Sequence, residues 1–376
     1  MTISTPICAR FGIDVPIVQT GMGWVAGARL VSATANSGAL GILASATMTY
    51  DQLEAAIREV RARTTRPFGV NLRADAEDAD KRVALLVREQ VPVASFALAP
   101  REHQIKQLKD AGIAVVPSIG ARRHAEKVAA WGADAVIVQG GEGGGHTGAV
   151  ATSLLLPQVV DAVDIPVIGA GGFFDGRGLV AALSYGAAGI AMGTRFLLTK
   201  ESTVPDSVKQ YYLERTVADT VVTARIDGVP HRVLRTEFVD ELEHTNAVTS
   251  MPRALRNAVA FKKLSGQSWR GMVEEGLAMR KEANLKWSQL ALAANTPMLL
   301  RAGLVEGRLD AGVLSSGQVA GVIEDLPTVA ELIARIMNEA EQTLKRLGQL
   351  RPGADPEART TMNIRTGDRG PEVVAE

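Results

Sequence analysis

The segment Asp134–Gly148 reads D-A-V-I-V-Q-G-G-E-G-G-G-H-T-G, a short apolar run that stops at six glycines, one glutamate and one histidine. Imidazole is the side chain whose ordinary charge change falls near neutral pH, so His146, denied packing partners by its glycine neighbours, is a candidate general acid or base. Glycines beside it let backbone approach a flat or anionic ligand closely. Glu142 in the same loop is better suited to bracing backbone N–H groups than to catalysis. Asn71 and Gln139 fall at the ends of apolar runs; each can satisfy neighbouring backbone or offer a donor and an acceptor to a heteroaromatic edge. Trp24 is either a core aromatic or the wall of an apolar substrate pocket. His103, His124, His231 and His244 lie on helical or peripheral stretches and read as surface residues, and no pair of histidines and carboxylates has metal-ligand spacing, so no metal is expected.

Eight short apolar runs can carry these residues: 16–20, 39–45, 68–72, 93–98, 114–119, 135–139, 167–170 and 189–196. Helical patterns separate them. Thr49 and Gln52 form a capping box ahead of Leu53, Ile57 and Val60, and Gly38, Gly112, Gly132 and Gly186 each close a helix shortly before the next strand. Strand and helix alternating eight times predict an α/β fold, a (β/α)8 TIM barrel over residues 1–200, with an open doubly wound sheet as the alternative. A barrel demands its chemistry at the C-terminal strand ends. There lie Gly21-Met22-Gly23-Trp24, Asn71, Ser118, Gln139 with the glycine loop, Ala170-Gly171-Gly172 and Gly193-Thr194-Arg195. The ends after strands seven and eight are where barrels commonly hold a phosphate. Gly143-x-Gly145-x-x-Gly148 matches a dinucleotide fingerprint in form, but it follows the sixth strand and no amphipathic helix begins at once, which argues against a Rossmann fold.

Length and composition narrow the function classes. The 376 residues are 46% hydrophobic, enough for a large core, and 41 basic residues balance 41 acidic ones, so no global field recruits nucleic acid or an anionic membrane. A single cysteine, Cys8, excludes an internal disulfide or a cysteine metal cluster. No signal-peptide pattern and no charge-free apolar run of about 18 residues is present, and a cytoplasmic protein is expected.

Beyond residue 200 an added, mostly helical region is expected over 201–350. Pro205 and Asp206 start a helix, Asp227-Gly228 joins two β-rich runs as in a hairpin, and a capping box at Thr328 and Glu331 opens a helix with apolar residues from Leu332 to Leu347 at helical spacing. That face packs on the barrel or on a second subunit, which makes a homodimer possible. Arg232 and Arg235 read as solvated charges. Residues 351–376 are polar and rich in proline and glycine, as in a disordered tail.

The runs P-I-V-Q-T-G-M-G, P-F-G-V-N-L, D-A-V-I-V-Q-G-G-E-G-G-G-H-T-G, I-P-V-I-G-A-G-G and A-M-G-T-R-F resemble the FMN-dependent barrel family of nitronate monooxygenases over about residues 6–200. The resemblance implies non-covalent FMN, with Gly21, Met22, Gly23, Asn71 and Gln139 near the isoalloxazine and Ala170, Gly171, Gly172, Gly193 and Thr194 around the phosphate. Ser118 and Gly144 join that cofactor set, and His146 matches the family's active-site histidine. Nitronate oxidation and the reduction of enoyl thioesters by flavin both use this barrel and loop, so the histidine does not choose between them. Three further stretches, Q-T-G-M-G-W-V-A-G-A-R-L-V-S-A-T-A-N, A-G-G-F-F-D-G-R-G-L and W-S-Q-L-A-L-A-A-N-T-P-M-L-L, resemble a narrower actinobacterial branch. That branch dehydrogenates a hydroxylated methyl-oxo-octahydroindene carboxyl-CoA thioester in steroid ring C and D breakdown. It implies an acyl-CoA substrate, a nicotinamide, NAD(P), as electron partner, and a use for Trp24 and the added region in a bulky pocket.

Overall fold

The computed structural model describes residues 3–244 and 295–350. Eight parallel strands close into a barrel: β1 (Ile17–Gln19), β2 (Leu40–Ala44), β3 (Phe68–Arg73), β4 (Val93–Ala97), β5 (Ala114–Ile119), β6 (Val136–Gln139), β8 (Val167–Ala170) and β9 (Gly189–Met192). β9 returns to pair with β1 through Ile17 opposite Ile190, which removes the open doubly wound alternative. A two-residue strand, β7 (Gly145–His146), lies outside the barrel between β6 and β8. The barrel strands are short, almost wholly buried and rich in valine and isoleucine, because a parallel strand between an inner core and outer helices meets water on neither face.

The connecting helices obey local rules. Helix Tyr50–Arg63 begins at the Thr49–Gln52 capping box, with both reciprocal hydrogen bonds formed. Gly38, Gly112, Gly132 and Gly186 take φ of +84°, +76°, +92° and +86°, the left-handed termination read from the sequence. The eighth strand is shorter than expected. It ends at Met192, and Thr194–Leu197 forms a turn of helix whose Arg195 is buried and donates to the Leu198 and Asp325 carbonyls. The polar pair Thr194-Arg195 marks the break within the run 189–196, and the strand gives way to helix there.

Helix Pro6–Phe11 supplies Ile7, Cys8 and Phe11 to a cluster with the inner barrel residues Val18, Leu40, Ile42, Val93, Val116, Ile137, Ile168 and Ala191. This helix packs against the barrel interior ahead of β1, and the C-terminal strand ends are left for chemistry.

In the added region, helix Asp206–Leu213 precedes the antiparallel hairpin of β10 (Thr220–Thr223) and β11 (His231–Leu234). β11 also pairs with β7, in the order β10-β11-β7, placing His231 opposite His146. Among the described residues, helices Glu237–His244, Asn295–Leu304 and Val329–Gly348 follow the hairpin. The last helix starts at its Thr328–Glu331 capping box and buries Val329, Leu332, Ile333, Ile336 and Ala340. It lies on barrel helix Gly176–Ser184. A Cβ on Gly176 would stand 2.4 Å from the Ile336 carbonyl oxygen, an approach only glycine permits. Its inner face is therefore covered by the barrel itself, so this face no longer argues for a dimer. Residues 351–376, expected as a disordered tail, lie outside the described residues. Among the described residues no helix is long and apolar enough to cross a membrane.

Candidate active site

The glycine loop is tied down on three sides. Gln139, the last residue of β6, donates its side-chain amide to the His146 carbonyl at 2.9 Å. Glu142 accepts from the backbone N–H and hydroxyl of Thr152 at 2.9 and 2.7 Å, a carboxylate at the first turn of helix Thr152–Val160, which is the bracing role its position implied. Arg232 donates to the Gly141 carbonyl at 2.9 Å and to the Thr220 hydroxyl at 2.9 Å. Arg232 is thus a clamp on the loop rather than a solvated charge, whereas Arg235 is exposed and pairs with Asp240.

The loop delivers His146 to an acid and a second histidine, both from the hairpin. His146 Nε2 lies 2.6 Å from Asp227 Oδ2. The His146 side chain is 51% exposed, and that of Asp227 only 2%. Asp227 is held from every side: Oδ2 also accepts the Thr296 hydroxyl at 2.8 Å, and Oδ1 accepts the Val229 backbone N–H at 3.1 Å. Burial alone would raise the pKa of this carboxyl; the hydrogen bond and charge of His146, the charge of His231 and the Thr296 hydroxyl outweigh it and bring the pKa down to about 2. Asp227 is therefore an anion at neutral pH and an acceptor, so the His146 nitrogen that faces it, Nε2, carries a proton.

His231 is not the surface residue the sequence implied. It is buried, with its ring centroid 4.7 Å from that of His146, Nε2 2.7 Å from the Ser315 hydroxyl and Nδ1 4.0 Å from Asp227 Oδ2. Burial and the neighbouring His146 push it down to about 4, against the attraction of Asp227, so it stays neutral. The sequence reading that no histidine and carboxylate stand at ligand spacing is also overturned: one ligand atom from each of His146, Asp227 and His231 lies within 4.8 Å of the others. His103 and His244 are exposed, as read.

The residues expected around a cofactor lie along the same strand ends. Asn71, inside β3 rather than after it, donates to the Ser95 hydroxyl at 3.2 Å, and a Cβ on Gly21 would fall 2.5 Å from Asn71 Cβ, so the loop carrying Met22 and Gly23 lies directly on that amide. Ser118 stands in β5 between Ala97 and Ile137. Ala170 ends β8, and Gly171 and Gly172 follow with φ of +90° and +83°, two consecutive left-handed residues whose N–H groups can converge on an anion. Gly193 and Thr194 begin the short helix after β9. Gly144 packs on Gly317, where a Cβ would meet its nitrogen at 2.5 Å, and Gly317 N–H donates to the Thr194 hydroxyl at 2.9 Å. Segment 315–318 of the added region is thus a part of this face that sequence reading missed; its Ser-Ser-Gly-Gln composition was the available signal. Trp24, with φ of +67°, donates its indole N–H to the Pro297 carbonyl at 2.9 Å and faces the Arg301 guanidinium, joining the mouth of β1 to helix Asn295–Leu304.

A family model described as nitronate monooxygenase matches residues 4–82 and 76–339. Two curated relatives, from Rhodococcus jostii and Mycobacterium tuberculosis, are 61% and 64% identical, over 93% and 90% of this chain and 99% and 97% of their own length. Each bears the name (3aS,4S,5R,7aS)-5-hydroxy-7a-methyl-1-oxo-octahydro-1H-indene-4-carboxyl-CoA dehydrogenase. Among solved structures, FabK from Thermotoga maritima is similar, with a TM-score of 0.76 and 35% identity over 92% of this chain and 99% of that one. With a closed parallel barrel and a histidine-bearing glycine loop after its sixth strand, the chain belongs to the nitronate monooxygenase family of flavin-dependent oxidoreductases.

Proposed function

We propose that the protein is an FMN-dependent dehydrogenase that oxidises the hydroxyl of a steroid-derived bicyclic acyl-CoA, a methyl-oxo-octahydroindene carboxyl thioester, and passes the electrons to a nicotinamide. The substrate class rests on the names borne by the two relatives above 60% identity. The observation that carries the chemistry is the 2.6 Å contact between His146 and the buried anion Asp227. An alcohol gives up a hydride only as its hydroxyl proton leaves, and a base backed by a fixed carboxylate serves that step. A nitronate arrives already deprotonated and needs no such base, whereas a neutral nitroalkane, the alternative substrate, would need one to lose its α-carbon proton.

Three features support FMN. The paired left-handed glycines 171 and 172, with Gly193 and Thr194 on the neighbouring strand end, suit a phosphate. Gly21, Met22 and Gly23 laid on Asn71 suit a flat ring, as do Gln139, Gly144 and Ser118 across the barrel mouth. FMN bound there supplies the two-electron acceptor for the hydride. His146 Nδ1 takes the hydroxyl proton, Asp227 stabilises the resulting imidazolium, and Thr296 and the Val229 N–H hold Asp227 in place. Trp24, fixed by Pro297, walls the pocket on the β1 side.

The reading is tested by anaerobic reduction of the oxidised flavin with, separately, a steroid-derived hydroxyacyl-CoA, a nitronate and a reduced nicotinamide. Bleaching by the acyl-CoA, reversed by oxidised nicotinamide, is the expected result. Bleaching by the nitronate alone would make the protein a nitronate oxidase. In the same assay His146→Ala keeps its flavin and loses most acyl-CoA turnover; unchanged turnover would remove His146 from the chemistry.

A further inference from the structure

We infer that His146, Asp227 and His231 form a binding site for a divalent transition-metal cation of the zinc class, and that the cation and the base role of His146 exclude one another. The donor set is two imidazoles and one carboxylate, with ligand atoms within 4.8 Å of one another. These donors suit zinc and its borderline neighbours and are poor for magnesium or calcium, which prefer all-oxygen shells.

The surroundings are those of a ligand shell. The Nδ1 of His231 is buried and has no hydrogen-bond partner, although it faces the Asp227 carboxylate at 4.0 Å, too long for a hydrogen bond. Its other nitrogen meets the Ser315 hydroxyl at 2.7 Å, the outer hydrogen bond that fixes a ligating imidazole with Nδ1 as the free donor atom. The Thr296 hydroxyl and the Val229 N–H orient the carboxylate in the same manner. A cation between Nδ1 and Oδ2 would give the buried Nδ1 the partner it lacks.

The fit needs two small adjustments. Zinc bonds of about 2.0 to 2.1 Å in a tetrahedron set neighbouring ligand atoms about 3.3 Å apart. The 4.0 Å separation of His231 and Asp227 must shrink a little, and the 2.6 Å contact of His146 and Asp227 must open. His146 is the half-exposed member, so it has the freedom to shift, and its solvent side gives the ion an entry path and leaves a fourth position open.

Binding at Nε2 has a chemical consequence. The neutral ring keeps its single proton, which moves to Nδ1, the nitrogen that would otherwise accept the substrate's proton. Bound zinc therefore silences the base without displacing the flavin. The silencing rests on the dehydrogenase reading above; the site itself does not.

The experiment is calorimetric titration of chelator-treated, FMN-loaded enzyme with zinc alone, together with cobalt titration followed at wavelengths beyond oxidised flavin. One cation per chain is expected. His231→Gln and the exposed, fold-neutral His146→Gln, each checked for flavin content, should both weaken uptake at least tenfold. Absence of uptake by the parent, or parent-like uptake by either variant, overturns the site and leaves the base role of His146 standing. One equivalent of zinc should also stop flavin reduction by the acyl-CoA with flavin still bound. Uptake without that loss would overturn the exclusion, and with it the assignment of His146 as base.

Discussion

Asp227 and His231 carry what the sequence could not announce about the site. They stand 81 and 85 positions beyond His146, and only the pairing of a two-residue strand with a hairpin strand brings them together. The histidine itself was legible because glycines surround it, whereas its partner looked like an ordinary Asp-Gly turn. Replacing Asp227 with asparagine keeps the size and removes the charge, so the tautomer of His146 is no longer fixed and the imidazolium loses its counter-ion. Flavin reduction by the acyl-CoA should slow by about 10²- to 10³-fold at unchanged flavin content, read by anaerobic stopped flow; a rate within a few-fold of the parent would count against the dyad. His231 gives a prediction about stability. Its folded value of about 4 lies below the ordinary 6.5, so the unfolded chain takes up the proton first as pH falls. Its contribution is complete above about pH 6.5 and is lost between 6.5 and 4, on the order of 3 kcal/mol. Asp227, lowered from 3.8 to about 2, adds stability present above 3.8 and lost as pH falls toward 2. Urea midpoints at pH 7 and pH 4.5 should therefore differ clearly for the parent and much less for His231→Gln.

Among the elements, strands buried on both faces were readable because each is a short β-branched run closed by glycine, and helices because their caps are local. The end of β9 was not: Thr194 and Arg195 interrupt the apolar run, but no local signal marks the turn as helical, with Arg195 buried against Asp325 and Leu198. The small strand β7 has no periodicity at all and exists because β11 pairs with it. The seat of the last helix on the barrel depends on a residue the sequence reading passed over. A methyl at Gly176 would stand 2.3 Å from the Ala340 nitrogen and 2.4 Å from the Ile336 carbonyl, both backbone atoms that cannot rotate aside. Gly176→Ala should push helix Val329–Gly348 outward and weaken the hydrogen bond from Gly176 N–H to Glu339, for a loss of about 1 to 3 kcal/mol. A thermal midpoint matching the parent would show that the helix seat is more compliant than these contacts imply.

At the scale of the whole molecule, the addition is stitched into the barrel unevenly. One large apolar cluster joins the barrel helices to Leu314, Val319, Ile323, Leu332 and Ile336, so these described parts of the added region share the barrel's core. A second, smaller cluster of Ile226, Val233, Phe238, Val239, Leu242, Leu299 and Val313 stands apart, and this is the unit that carries Asp227 on its loop and supports Thr296 beside Leu299. A small cluster opens at lower free energy than a large one, and its opening takes the carboxylate away from His146 while the glycine cradle stays in place. Turnover should therefore fall at urea concentrations where flavin fluorescence and far-ultraviolet circular dichroism are still those of the native protein. Coincidence of all three curves would mean that the hairpin unit and the barrel open together. If instead turnover fails first, hydrogen exchange should locate the early opening at residues 226–242 rather than at the strands of the barrel.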